Sequence, residues 1–135
     1  MSDPRSALLV MVHGSPRPVA NEDMFRVVEA FRNRPEYRER FPIVEVGFME
    51  CNEPDIPTAI DRCIAHGATD VIAVPYFLHT GTHVCDDLPT LLEEGQRRFP
   101  NVKFKMGEYI GLSDRLTDIL TERAATAPSK GKEDR

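Results

Sequence analysis

The chain contains no tryptophan, and its three cysteines, Cys51, Cys63 and Cys85, form no CxxC pair. An odd and widely spaced set argues against a disulfide framework and against CxxC zinc or redox chemistry; it predicts free thiols in a reducing compartment. No hydrophobic run approaches the ~20 residues of a membrane span, so no membrane partner is expected. The one early apolar run, Ala7 to Val12, is short and passes straight into the turn-rich HGSPRP, unlike a secretory signal with its cleavage site. These features predict a cytoplasmic protein. Positive charge is also scarce: 17 Lys and Arg stand against 22 Asp and Glu, a net charge of -5. Nucleic acid is therefore not expected as the main partner, and an anionic ligand has to be held by individual arginines rather than by the overall field. GxGxxG and GxxxxGKS/T are both missing, so no nucleotide loop is evident and no ATP is implied. HGSP lacks the spacing of a GxSxG nucleophile elbow.

What remains is an ordinary globular composition, 41% apolar and 29% charged in 135 residues, which suits one domain with a core of its own. Ala7 to Val12, ALLVMV, reads as a central parallel strand buried on both faces. Asn21 to Arg34 carries Met24, Val27, Val28 and Phe31 at helical spacing, with Asn21 or the residues just before it as candidate caps. IVEVGF, Ile43 to Phe48, is a second strand, and Ile56 to His66 a second helix stopped by Gly67. DVIAVPY, Asp70 to Tyr76, is a third strand, and Leu88 to Phe99 a third helix with Asp86 and Asp87 near its positive end. Val102 to Gly107 is a more polar, edge-like strand. Ser113 to Ala125 is the last helix, with Ser113 as its cap. Strand and helix alternate with short connections, which predicts an α/β fold: a three-layer αβα arrangement around a four-stranded parallel sheet. Residues 1–127 are expected to form a single domain and residues 128–135, PSKGKEDR, a disordered tail.

In such folds ligands bind beyond the carboxyl ends of the strands, where strand order reverses. His13 follows the first strand, Glu50 the second, and His79 and His83 the third. Three imidazoles and a carboxylate on one rim suit a divalent first-row metal, and imidazole can also exchange a proton near neutrality. Each residue also has a plainer role open to it: His13 could brace a turn, His83 could cap the following helix, and Glu50 could be a surface carboxylate beside NEP. Gly81 between His79 and His83 predicts a loop, so the two do not form a helical HxxxH chelate. His66, beside Gly67, complements a helix end. Cys85 sits at a helix start, where a thiol can be acidified or can simply fill a gap.

Four segments then carry a resemblance: LLVMVHGSPRP, VEVGFMECNEPDIPTAI, VIAVPYFLHTGTHVCDDLP and GEYIGLSDRLTDIL, in this order. Together, from about Ala7 to Arg123, the chain resembles the small sirohydrochlorin cobaltochelatases of the CbiX type, among the class II tetrapyrrole chelatases. The resemblance implies a chelatase-like, flavodoxin-like half domain and insertion of a metal, Co²⁺ first and Fe²⁺ or Ni²⁺ as alternatives, into sirohydrochlorin. It implies that His13 and His83 are the catalytic and metal-binding pair and that Glu50 assists. His79 falls where similar proteins often carry an apolar or small residue, so it is an addition. Longer members carry two such halves, which implies that this single half works as a homodimer with the cleft between subunits. The nickel-inserting short form tends to carry a histidine-rich insertion after the third helix, where this chain has RRFPNVK.

The chemistry expected is loss of two pyrrole protons as the metal enters, with His13 and His83 holding the metal and taking protons, and Glu50 orienting a histidine or relaying a proton. Arg17 is the arginine best placed by sequence to grip a ring carboxylate, although a solvated loop charge explains it equally well. The Gly81 amide, at the head of the third helix, is a second candidate. No cofactor is implied beyond the substrate metal. A non-catalytic metal or tetrapyrrole carrier would use the same rim. A receiver-like signalling domain would need acidic residues where this chain has Val12-His13-Gly14.

Overall fold

The computed structural model describes residues 4–128, except the side chain of Cys85. Residues 129–135 of the expected tail lie outside the described residues. Four strands, β1 (Ser6–Val12), β2 (Ile43–Phe48), β3 (Asp70–Pro75) and β4 (Lys103–Met106), form one all-parallel sheet in the order β2-β1-β3-β4. β1 is central: Leu9 lies opposite Glu45 of β2 on one side and Ala73 of β3 on the other. Its uninterrupted apolar run follows from that position, because both faces and both edges are covered. β4, with Lys103 and Lys105 exposed, lies at the edge beyond β3, and charged side chains there discourage further pairing.

The helices are α1 (Pro18–Arg32), α2 (Pro35–Arg40), α3 (Ile56–Ala65), α4 (Leu88–Arg98) and α5 (Arg115–Ala125). The alternating side chains of β1 divide the core in two. Ala7, Leu9 and Met11 pack with Ile56, Ile60, Cys63, Leu88 and Leu92 of α3 and α4. Val10 packs on the other face with Met24 and Val28 of α1 and with Val44, Val46 and Phe48 of β2. The chain steps from β1 outward to β2, then returns to the far side of β1 as β3. Crossovers of one hand therefore put α1 on one face and α3 and α4 on the other. The strand order reverses between β1 and β3, which makes their carboxyl ends the natural ligand crevice.

The structure corrects several expected boundaries. α1 begins at Pro18, not Asn21, because proline at the first position supplies a helix-ready φ; of the two cap positions left open, Asn21 lies inside the helix and the cap falls to Arg17 ahead of it. α2 was not expected: PEYRER has little apolar periodicity, but Pro35 opens it and Tyr37 stacks on Phe31 with ring centroids 5.1 Å apart. The last helix starts at Arg115 with Asp114, not Ser113, in the cap position. The third helix begins earlier than Leu88, as a π-helical turn over His83–Asp87 in which the Leu88 N–H donates to the His83 carbonyl. Among the described residues no helix is long and apolar enough to cross a membrane.

Candidate functional site

His13 is the first residue beyond β1, and its placement begins with the backbone. The Met49 N–H donates to the Val12 carbonyl at 2.8 Å and the Glu50 N–H to the His13 carbonyl at 3.1 Å, extending the β1–β2 ladder past the strands. Gly14 then turns with φ +99, and a Cβ there would lie 1.9 Å from the Glu50 carbonyl oxygen. Only glycine allows this approach. The Ser15 N–H closes the turn on Asn52 Oδ1 at 2.8 Å. The exits of β1 and β2 are thereby tied together, and the His13 and Glu50 side chains meet, Nε2 to Oε2 at 3.4 Å.

The ring of His13 is oriented from its other nitrogen. Nδ1 lies 3.1 Å from the Gly14 carbonyl oxygen, which can only accept, so Nδ1 carries the hydrogen. In the neutral ring Nε2 then presents a lone pair towards a carboxylate. Two electron-rich atoms facing each other at that distance can hold a cation between them. Two donors each about 2.1 Å from a tetrahedral metal stand roughly 3.4 Å apart, and His13 Nε2 and Glu50 Oε2 have this separation.

His83 arrives from the third strand by way of the loop after β3 and opens the π turn. Its ring lies beside that of His13, centroids 4.9 Å apart and tilted by 46°. Nδ1 is 2.7 Å from Asp87 Oδ2, one step down the same helical run. A carboxylate on Nδ1 fixes the tautomer and leaves Nε2 free as a ligand or base. Both histidines therefore share one design, with Nδ1 engaged by the protein and Nε2 available. Their side chains are 44% and 45% exposed, so the pair faces an open crevice.

Asp87 is the site residue that the sequence reading missed, having been given only a helix-dipole role. The spacing from His83 to Asp87 was the available signal, since residues four apart meet on a helix; reading His83 as part of a loop concealed it. The expected gathering of three histidines and a glutamate is corrected to two histidines, each with its own carboxylate. His79 is exposed in the loop, lining a cavity of about 220 Å³ together with Gly81 and His83. Among the described residues no three His, Cys, Asp or Glu side chains come close enough to hold a metal without a further ligand. A second cavity, of about 310 Å³, opens beside His13 between α1 and the end of β3, lined mainly by apolar groups such as Met24, Phe48 and Tyr76. Phe77 lines both cavities.

The other candidates sit further out. Arg17 is exposed at the N-cap of α1, its backbone N–H bonded to Ser15 Oγ at 3.1 Å. Gly81 has open space where a side chain would project. His66 closes α3 at the opposite end of the sheet, 3.9 Å from Glu45. The Cys85 side chain lies outside the described residues.

The chain matches known proteins. The CbiX family model covers residues 7–127. This protein belongs to the CbiX family. A sirohydrochlorin cobaltochelatase of Methanocaldococcus jannaschii is 34% identical, over 87% of this chain and 96% of its own length. A sirohydrochlorin ferrochelatase of Priestia megaterium is 36% identical, over 90% of this chain but 44% of its own. Among solved structures, the sirohydrochlorin chelatase SirB from Bacillus subtilis subspecies spizizenii, in complex with cobalt, superposes with a TM-score of 0.79 at 27% identity, covering 91% of this chain and 51% of that one. The CbiX-family chain thus spans about half the length of two of these proteins and nearly all of the third, and its four-stranded parallel sheet is the sheet of known chelatases.

Proposed function

We propose that this CbiX-family protein inserts a divalent metal, Co²⁺ in the first instance, into sirohydrochlorin. The observation that carries the reading is the pair of tilted imidazoles 4.9 Å apart at the strand-order switch, each held by its Nδ1. Imidazole nitrogens suit cobalt, iron or nickel, and this pair would share the ion with solvent or with the macrocycle rather than with a third protein side chain. Such a pair binds a metal ion without enclosing it, as a group that must release the ion to a macrocycle requires. The relatives named for cobalt and for iron support the same substrate for this chain, with Fe²⁺ or Ni²⁺ as the alternative metal.

The ring must lose two N–H protons as M²⁺ enters. With the metal on His13 and His83, Glu50 is the base that stands 3.4 Å from a ligand nitrogen and is 58% exposed, able to pass a proton to solvent. Asp87 keeps the His83 Nε2 lone pair directed at the crevice. The guanidinium of Arg17 and the amide of Gly81 take ring carboxylates at the rim. The reaction needs no ATP and no cofactor besides its substrate metal. The protein works in the cytoplasm as a homodimer: an open, half-exposed histidine pair needs a second wall to enclose a flat macrocycle, and SirB carries as much chain again beyond the matched unit.

The test is an anaerobic absorbance assay with sirohydrochlorin and Co²⁺, Fe²⁺ or Ni²⁺, beside His13→Ala and His83→Ala. A metallation rate above the spontaneous one that collapses in both variants is the expected result, and the metal giving the largest kcat/KM is the preferred substrate. Unaccelerated metallation with every ion, together with retained tetrapyrrole binding, overturns the enzyme in favour of a carrier.

A further inference from the structure

His79 is the histidine of the rim that the proposed reaction leaves idle. Among the described residues the other three each face a partner: His13 the Gly14 carbonyl and Glu50, His83 Asp87, and His66 Glu45. His79 makes neither a hydrogen bond nor an ion pair with them, and it is exposed, so its ring keeps a lone pair for a ligand. Its backbone is nevertheless held. The Gly111 N–H donates to the Phe77 carbonyl at 3.0 Å, and a Cβ on Gly111 would stand 2.0 Å from the Leu78 carbonyl oxygen. At its other end the loop runs into the π turn that carries His83. Four residues of chain span at most about 14 Å, and the two imidazoles line the same cavity of about 220 Å³. The other side chains lining it belong to Phe77, Leu78, Thr80 and Val84, so imidazole is what this cavity offers a transition metal.

We propose that His79 is the loading ligand for the metal substrate. It takes a hydrated divalent ion from solution into this cavity and passes it to His83 Nε2, one imidazole replacing the other on the ion, and so to the His13–His83 pair. The inference rests on the chelatase of the proposed function and assigns one step within it, capture of the ion. Two observations favour a relay over a third permanent ligand. Among the described residues no three His, Cys, Asp or Glu side chains come close enough to hold one ion, so His79 does not complete the His13–His83 site. His79 is also exposed where His13 and His83 are half-buried, so it meets an ion first. The ligands then run inward, from His79 across the cavity to His83, whose ring stands 4.9 Å from that of His13. An ion held at His79 reaches His83 at an effective concentration set by the short loop between them, not by the bulk solution. His79 therefore acts on uptake of the ion and not on deprotonation of the ring.

Two measurements on the full chain test this. In steady-state metallation with Co²⁺ varied at saturating sirohydrochlorin, His79→Ala is expected to raise the KM for Co²⁺ about 10-fold, while kcat and the KM for sirohydrochlorin stay within about twofold of wild type. An unchanged KM for Co²⁺, or a loss confined to kcat, overturns the relay and leaves the chelatase standing. The second measurement needs no turnover. Co²⁺ alone is titrated by calorimetry into His13→Ala, in which the inner pair is broken, and into His13→Ala/His79→Ala. Affinity is expected to fall about 10-fold when His79 is removed. Adding His66→Ala instead, at the opposite end of the sheet, is expected to leave it unchanged. Equal Co²⁺ affinity with and without His79 overturns the loading site, whether or not the wild type metallates sirohydrochlorin.

Discussion

Replacing Gly14 by alanine tests how the site is built. The residue sits at φ +99, and the added Cβ would stand 1.9 Å from the Glu50 carbonyl oxygen and 3.2 Å from Asn52 Oδ1. Holding alanine in the left-handed region costs about 1–2 kcal/mol. An ordinary carbon–oxygen contact is about 3.3 Å, so the β1 and β2 exits must part by roughly 1.4 Å. That movement breaks the Glu50 N–H to His13 carbonyl bond, now 3.1 Å, for about another 1 kcal/mol. The total, about 2–3 kcal/mol, corresponds in a chain of this size to a melting temperature lower by roughly 6–12 °C. The functional cost is larger, because displacing His13 from Glu50 by ~1 Å is worth about 100-fold in rate. Gly81→Ala is the control: it lies in the same rim, has open space where the methyl would go, and should melt within a few degrees of wild type. Thermal melts and the metallation assay on both variants decide the matter. Gly14→Ala melting within about 2 °C of wild type with full activity would show that the glycine does not set the His13–Glu50 geometry.

Asp87→Asn should lower metal affinity or kcat/KM by about 10–100-fold with little change in stability, while Asp86→Asn, next to it, should leave both near wild type; equal losses in the two would deny Asp87 a special role. Burial, with a smaller contribution from Glu45, pushes the Cys63 thiol up to about 12, so in the native protein Cys63 should resist a thiol reagent at pH 8 while the exposed Cys51 is labelled; mass spectrometry after labelling reads this directly. The Asp55 carboxylate caps α3 by accepting the Thr58 N–H at 2.9 Å, and these bonds to Thr58 hold its carboxyl below the usual range. A lowered folded-state value contributes stability above the unfolded pKa that is lost as pH falls through the folded one. Asp55→Ala should therefore cost about 1 kcal/mol at pH 7, and urea titrations should show the difference from wild type shrinking as pH falls below about 4.

The sheet was legible because burial on both faces leaves a mark in a single strand: ALLVMV and DVIAVP can hardly be anything but inner parallel strands. That His13, His83 and Glu50 meet at one rim was legible for a related reason, since parallel topology sends the connections after the strands to the same end. Smaller features escaped where local cues competed. Asn21 is a good cap residue, but Pro18 starts the helix first. PEYRER was passed over because its helix is held by Tyr37 on Phe31 rather than by a stripe. Gly81 announced a loop correctly, but the loop ends earlier than expected, at Thr82, and this put the His83–Asp87 bond out of sight.

The π turn at His83 separates two kinds of register. The core fixes the rotation of α4 through Leu88 and Leu92, while the turn ahead of it holds one residue more than an α turn would. Removing that residue would let the helix run on regularly, swinging His83 by roughly 100° about the axis while Leu88 and Leu92 stayed seated. The extra residue therefore acts as an adjustable joint between a packed rod and a reactive tip. A chain built this way can re-aim His83 by gaining or losing a single residue, with the hydrophobic interior left unaltered.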